Sequence, residues 1–332
     1  MKTASPLFLS LFALLLAVSP PAFAEERPEV VARIEVDMPL RAPSICRGPE
    51  GTYYLTGTVS TRTKEDGTPN WYENDGVYLW KSTDLESWKA MGCVMALKDQ
   101  PYELYGPSRW LHKVQVVPDR YGEKRLYGVV APEIHYARDT FWLTISMTRQ
   151  GTALMKSTTG EAEGPYELVD LLSTRGGDPS LLADGDDLWW VFDAGYVAKL
   201  VESKPRKHTP PGREATLALE PRPDLMRPEP GESGFPLRVG ERGAFMVKDG
   251  GKCHLIATQR TLREDGTAAW DTFVASADAP DGPYGPRRLL IPGGGQAMLF
   301  RGEEGEWLAA CALDRRVRDA EDELAIVKVD LQ

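Results

Sequence analysis

One feature constrains this chain more than any other: a short unit that recurs five times. Its clearest copy is APEIHYARDTFWLTIS, from Ala131 to Ser146. A Pro and a short polar stretch lead into an aromatic-rich run that reads as strand, turn, strand. Related units begin at Ala42 (APSICRGPEGTYYLTGT), Gly177 (GDPSLLADGDDLWWVFDAG), Arg242 (RGAFMVKDGGKCHLIATQ) and Gly294 (GGQAMLFRGEEGEWLAACAL). A β-unit repeating every few tens of residues is the signature of a radial or solenoid array. Five units predict an all-β, five-bladed propeller.

The stretches between the units fit that reading. Asp75–Gly92 (DGVYLWKSTDLESWKAMG) supplies two more strands around a turn at Ser82–Glu86. Gly164-Pro165-Tyr166 in the second unit matches Gly282-Pro283-Tyr284 in the fourth, each following a strand, a Ser and a turn. Val30–Val36 reads as a terminal strand that completes the fifth blade, and Ala325–Leu331 is a second candidate for that neighbourhood. Asp99–Gly128 reads as a loop plus a hairpin carrying Trp110 and His112, and loops on a rigid ring are where ligand contacts concentrate. Residues 203–235, rich in Pro, Arg and Glu, read as an insertion over one face, because the repeats resume after it.

The first 24 residues have the make-up of a secretory leader: Lys2, an apolar Leu7–Val18, and Ala22-Phe23-Ala24 as a cleavage pattern. The apolar run is short of the ~20 residues that span a bilayer, and no later stretch is long and apolar enough to do so. The expectation is therefore a single domain from residue 25 to 332, secreted or periplasmic, with no membrane span after cleavage. A formal net charge of −10 argues against nucleic acid, whose phosphates demand a basic face. It suits a neutral glycan better than a strongly anionic one. Cys46, Cys93, Cys253 and Cys311 show no CxxC spacing, and His112, His208 and His254 show no ligand spacing, so neither a metal site nor a cofactor is expected. The cysteines read either as small core residues or, for Cys46 and Cys311, as a staple closing the ring.

With these motifs assembled, the chain resembles glycoside hydrolases of the family 43 type. The marks are Pro43-Ser44-Ile45 with Gly51, Tyr53, Tyr54 and Leu55; Ser82–Leu85 with Trp88; Ala131-Pro132-Glu133; Asp178-Pro179-Ser180; and the two Gly-Pro-Tyr turns. The resemblance implies inverting hydrolysis of glycans at a central channel, by a carboxylate base, a carboxylic acid and a third acid that tunes the donor. It also implies that the base position holds Ala42, the acid position Arg242, and a channel His position Gln296. A methyl group cannot take a proton, and a guanidinium with a pKa above ~12 cannot donate one.

Glu133 then matches the tuning acid, and Glu133 with Glu241 or Asp178 are the carboxylates left for chemistry. A one-residue slip sends the Glu241 side chain to the opposite strand face unless a bulge restores it. Asp178 stands before its Pro as Ala42 does, and reads either as a sugar-hydroxyl acceptor or as a turn aspartate. His135 shares a strand face with Glu133. Trp71, Tyr72, Trp110 and Trp270 are candidate sugar platforms in loops, whereas Trp80, Trp142, Trp189 and Trp190 belong to blade packing. Arg242 and Gln296 complete the expected ligand contacts. Two functional classes follow: a glycosidase with altered catalytic residues, or a catalytically inactive propeller that binds a glycan or a partner.

Overall fold

The computed structural model describes residues 28–71, 73–99, 117–118, 124–125, 128–147, 151–173, 177–204, 216–219, 239–263, 266–313 and 323–331. It is a five-bladed β-propeller of four-stranded antiparallel sheets. The innermost strands are Leu40–Arg47, Val129–Ala137, Ser180–Asp184, Arg242–Asp249 and Gly294–Arg301, so each expected repeat begins one blade. Blade 5 is completed by Val30–Arg33, which pairs with Glu323–Lys328. The two terminal segments therefore share one sheet, and the first strand ends three residues sooner than the sequence suggests.

Every blade is too thin to bury both its faces alone. The described residues accordingly form five apolar clusters, one in each seam between neighbouring blades. The seam between blades 5 and 1 holds Trp80, which is 1% exposed, against Leu55, Phe300 and Ile326. Its indole N–H donates to Asp37 Oδ1 at 2.7 Å, tying the segment after the first strand into the ring. Ion pairs continue the stitching near the channel: Lys248 of blade 4 meets Asp184 of blade 3 at 2.5 Å, and Arg301 of blade 5 meets Asp249 of blade 4. Arg47 of blade 1 donates to the Gly302 carbonyl of blade 5 at 3.2 Å. The Gly-Pro-Tyr match is structural as well. In both copies the Gly-Pro bond is cis, and the Tyr hydroxyl donates four residues back, to the carbonyls of Ala162 and Pro280.

Three expectations are corrected. Cys46 and Cys311 do not form a staple, because they face different seams: Cys46 packs between blades 1 and 2, Cys311 between blades 4 and 5. Burial pushes both thiols up to about 12, which leaves them inert. Cys93 is exposed rather than a core residue. The stretch 203–235 is not only an insertion, since Thr216–Leu219 within it forms the outer strand of blade 3. In the long segment between blades 1 and 2, Val117–Pro118 pairs with Lys124–Arg125 as a minimal hairpin. Trp110 and His112 fall outside the described residues, as do the leader, Tyr72 and His208.

Candidate functional site

The mouth of the channel is built by one repeated backbone device. Four inner strands gain an extra residue near their start, where the register shifts between Arg41 and Ser44, Val130 and Glu133, Arg242 and Phe245, and Gly295 and Met298. Such bulges bend a strand and re-aim its side chains. The bulged residue has left-handed φ: 50° at Ala42, 44° at Ala131, 60° at Gly243 and 50° at Gln296. Asp178, just ahead of its strand in blade 3, has the same conformation at 48°. These five residues form a ring around the mouth. The device needs room behind it, and at Gly57 a Cβ would come within 2.8 Å of the Arg41 carbonyl oxygen.

Hydrogen bonds lock the ring from blade to blade. Ala131 N–H donates to Thr58 Oγ1 at 2.7 Å, and Gln296 N–H donates to Thr258 Oγ1 at 2.9 Å. Between blades 3 and 4, Gly243 N–H donates to Asp178 Oδ2 at 3.2 Å. Of the five ring residues, Asp178 alone is ionisable. Burial pushes its carboxyl above the ordinary carboxylate range, and the charge of Arg242 and the Gly243 N–H pull it partly back. Asp193 pushes it up further and Arg41 pulls it down. Asp193 is itself anchored, accepting the Gly177 N–H on Oδ1 at 2.7 Å.

Glu133 lies two residues beyond the ring on the inner strand of blade 2. It is 13% exposed, and its Oε2 is 3.2 Å from Nε2 of His135, which is 12% exposed. The two atoms are within ion-pair distance but not aligned for a hydrogen bond, and both are buried without a hydrogen-bond partner among the described residues. Burial pushes the Glu133 carboxyl up, His135 and the Ser180 hydroxyl offset part of the rise, and Asp178 adds to it. Glu133 is thus a buried carboxyl that feels the charge of a second one, Asp178. Below them a cavity of about 340 Å³ runs between the inner strands of all five blades, lined by His135, Ser180, Cys46, Phe245 and Met298 among others.

A stability consequence follows. A carboxyl whose pKa is raised by folding stays protonated where the unfolded chain has already released its proton. The folded state is then penalised as pH rises from the ordinary Glu range, about 4.3, through the folded value. Glu133→Gln removes that penalty. Its melting temperature is expected to exceed that of the wild type at pH 7.5 by a few degrees, at about 2 °C per kcal/mol. The gain should vanish near pH 4, where both proteins are neutral at this site. A variant less stable than wild type at pH 7.5 would show that Glu133 is held by partners stronger than its burial.

The structure brings Glu133, His135, Asp178 and Arg242 together and places Gln296 in the ring. Glu241 is exposed, with its N–H on the Thr258 carbonyl at 2.8 Å, and no described contact joins it to Glu133 or Asp178. Trp71, expected as an open platform, is 3% exposed and lies beneath the Arg41 guanidinium, 4.9 Å from the ring centroid. Trp270 is half-buried with Arg242 over it at the same 4.9 Å. Arg41 and Asp193 escaped the sequence reading. The signal for Arg41 was its place one residue before the bulge, which Arg242 shares in blade 4. Among the described residues no three His, Cys, Asp or Glu side chains gather to hold a metal ion.

A family model described as glycosyl hydrolases family 43 matches residues 36–207, more than half of the chain. The chain belongs to glycosyl hydrolase family 43. Solved structures agree on the fold of this family 43 protein. An endo-1,4-beta-xylanase from Bacteroides thetaiotaomicron VPI-5482 is 18% identical, with a TM-score of 0.53, covering 89% of this chain and 95% of that one. An endo-arabinase from the same organism is 16% identical, with a TM-score of 0.55 and coverage of 93% and 99%. An exo-1,5-alpha-L-arabinanase from a bovine ruminal metagenomic library is 17% identical, with a TM-score of 0.54 and coverage of 90% and 97%. A search of curated proteins finds no match. In this family 43 chain the ring positions of blades 1 and 4 are Ala42 and Gly243, so neither contributes an ionisable side chain to the mouth.

Proposed function

We propose that this family 43 protein is an exported glycoside hydrolase that cleaves glycosidic bonds in polysaccharides or oligosaccharides at the channel mouth. One observation carries the reading: two buried carboxyls, Glu133 and Asp178, stand there, burial raises both, and the charge of Asp178 raises Glu133 further. Glycoside hydrolysis uses a pair of carboxyl groups, one of them kept protonated by its surroundings. Glu133 is the group to carry that proton, with His135 beside it to take up or return one. Asp178, held by the Gly243 N–H and Arg242, is the group to receive a sugar hydroxyl or an attacking water. A second reading, a silent glycan-binding propeller, is favoured by the bare ring positions Ala42 and Gly243.

The test is reducing-sugar release on a broad polysaccharide panel, with Glu133→Gln and Asp178→Asn run beside the wild type. Release by the wild type that disappears in both variants supports hydrolysis by this pair. Retention of a glycan on an affinity gel with no release from it assigns the mouth to binding alone. Release that survives in both variants places the chemistry elsewhere.

A further inference from the structure

Above the ring lies a row formed by the residue just ahead of each ring position. In four blades that residue pairs with one on the second strand: Arg41 with Thr58, Val130 with Ser146, Arg242 with Thr258 and Gly295 with Ala312. In blades 1 and 4 the partner is a threonine, and its hydroxyl accepts the N–H of the next blade's ring residue, Ala131 or Gln296. Blade 3 departs from this arrangement. Its strand ladder starts lower, where Ser180 pairs with Val191. Two residues beyond Val191 stands Asp193, in the place of the threonines, and its N–H donates to the Gly177 carbonyl at 2.8 Å.

The Asp193 side chain turns back on its own blade instead of reaching the next one. Its Oδ1 accepts the Gly177 N–H at 2.7 Å, so Gly177 is held at both its backbone groups. The Asp193 carbonyl accepts the Ala244 N–H of blade 4 at 3.1 Å. The ring N–H of blade 4, that of Gly243, goes to Asp178 Oδ2 at 3.2 Å. Asp193 is therefore fixed at its donor, its carbonyl and its side chain, between the residue before Asp178 and the residue after Gly243. Its φ of 55° is one that aspartate tolerates and a β-branched threonine does not.

We propose that Asp193 is a positioning residue for Asp178: it clamps Gly177 and Ala244 so that the Gly243 N–H orients the Asp178 carboxyl. This rests on the reading of Glu133 and Asp178 as the reacting pair. The same residue tunes what it places. Its charge raises Asp178, against Arg242 of blade 4 and Arg41 of blade 1, which lower it. On the blade 2 side stand Glu133, which feels the charge of Asp178, and His135 beside it. A carboxylate with a raised pKa is the better proton acceptor.

Two variants separate placement from charge, with melting temperatures as the check that each is folded. Asp193→Asn keeps an acceptor for the Gly177 N–H and loses the charge. Asp193→Gly loses both and adopts φ 55° without strain. The Asp178 carboxyl is followed by carbon-13 NMR of the ligand-free protein, with Asp178→Asn identifying its signal. It should titrate at lower pH in Asp193→Asn than in the wild type. Reducing-sugar release is measured across pH on whichever glycan of the polysaccharide panel the wild type cleaves fastest. Asp193→Asn should keep its plateau kcat within about threefold, with the acid limb moved to lower pH. Asp193→Gly should lose at least about tenfold in kcat at unchanged KM, since displacing a reacting group by ~1 Å costs about 10²-fold. A purely structural turn residue would change the melting temperature and leave the Asp178 titration and the acid limb where they are, and that result overturns the proposal. A wild-type kcat in Asp193→Gly overturns it too, as does a loss confined to KM. If the wild type cleaves no glycan, the reading of the pair as a hydrolase falls, and the NMR titration alone decides whether Asp193 holds Asp178.

Discussion

Restoring a base and an acid to the mouth, with Ala42→Asp and Arg242→Glu together, is expected to raise glycan hydrolysis by at least ~10²-fold. General acid and base groups contribute about 10²–10⁴ each when correctly placed. The backbone is already suited to the first change. Ala42 sits at φ 50°, a region where alanine is strained and aspartate is tolerated, and Asp178 occupies the equivalent ring position at 48°. The second change removes the cation that pulls Asp178 down most strongly. The Asp178 carboxyl, which receives the attacking water in the proposed pair, should therefore move further up, and the pH at which activity falls off on the acid side should rise with it. Reducing-sugar release across a pH series measures both effects, with Ala42→Asp alone separating the base from the acid. A double variant that folds, still binds its glycan and releases no more sugar than wild type would mean that the mouth no longer orients a substrate for attack.

Trp80→Ala is expected to be the most damaging single core substitution in the seam that closes the ring. Replacing a buried tryptophan by alanine costs about 3–5 kcal/mol, a large part of the 5–15 kcal/mol that holds a typical domain. Here the loss falls between blades 5 and 1 and also strips Asp37 of its indole donor. Trp80→Phe keeps most of the apolar volume and should lose little more than the hydrogen bond, about 1 kcal/mol. Denaturant midpoints for the two variants give the comparison. A Trp80→Ala protein within 1 kcal/mol of wild type would show that the seam repacks without this side chain.

The blades were legible in the sequence because each inner strand repeats one pattern of small polar entry and apolar descent. The packing tryptophans Trp80, Trp142, Trp189 and Trp190 were legible for the same reason, since they sit on strands with apolar neighbours. The bulges were not. An added residue shifts a strand by one position and reverses which side chains face the channel. That shift makes Gly243 the ring position of blade 4 and places Arg242 in the row above it, beside a Glu241 that points to solvent. The fate of Trp71 depended on a long-range contact, since only the fold brings Arg41 over it. Asp193 carries no motif of its own, and its value lies in two neighbours from other elements, Gly177 and Ala244. The outer strand Thr216–Leu219 was hidden by the Pro- and charge-rich composition around it.

The way the ring closes sets an order of events during synthesis. Val30 pairs with Val327 and Arg33 with Ala325, partners separated by almost the whole chain. A ribosome that has delivered four blades has still not delivered the strand against which the first one lies. Until residue 328 emerges, the leading segment has no sheet to join, and Trp80 faces an unfinished seam. Contacts between distant residues form slowly, and an incomplete sheet offers unpaired edges to other chains. The nascent protein therefore passes through an open-ring interval with its sheet edges exposed, and removal of the strand Glu323–Lys328 would leave it in that state.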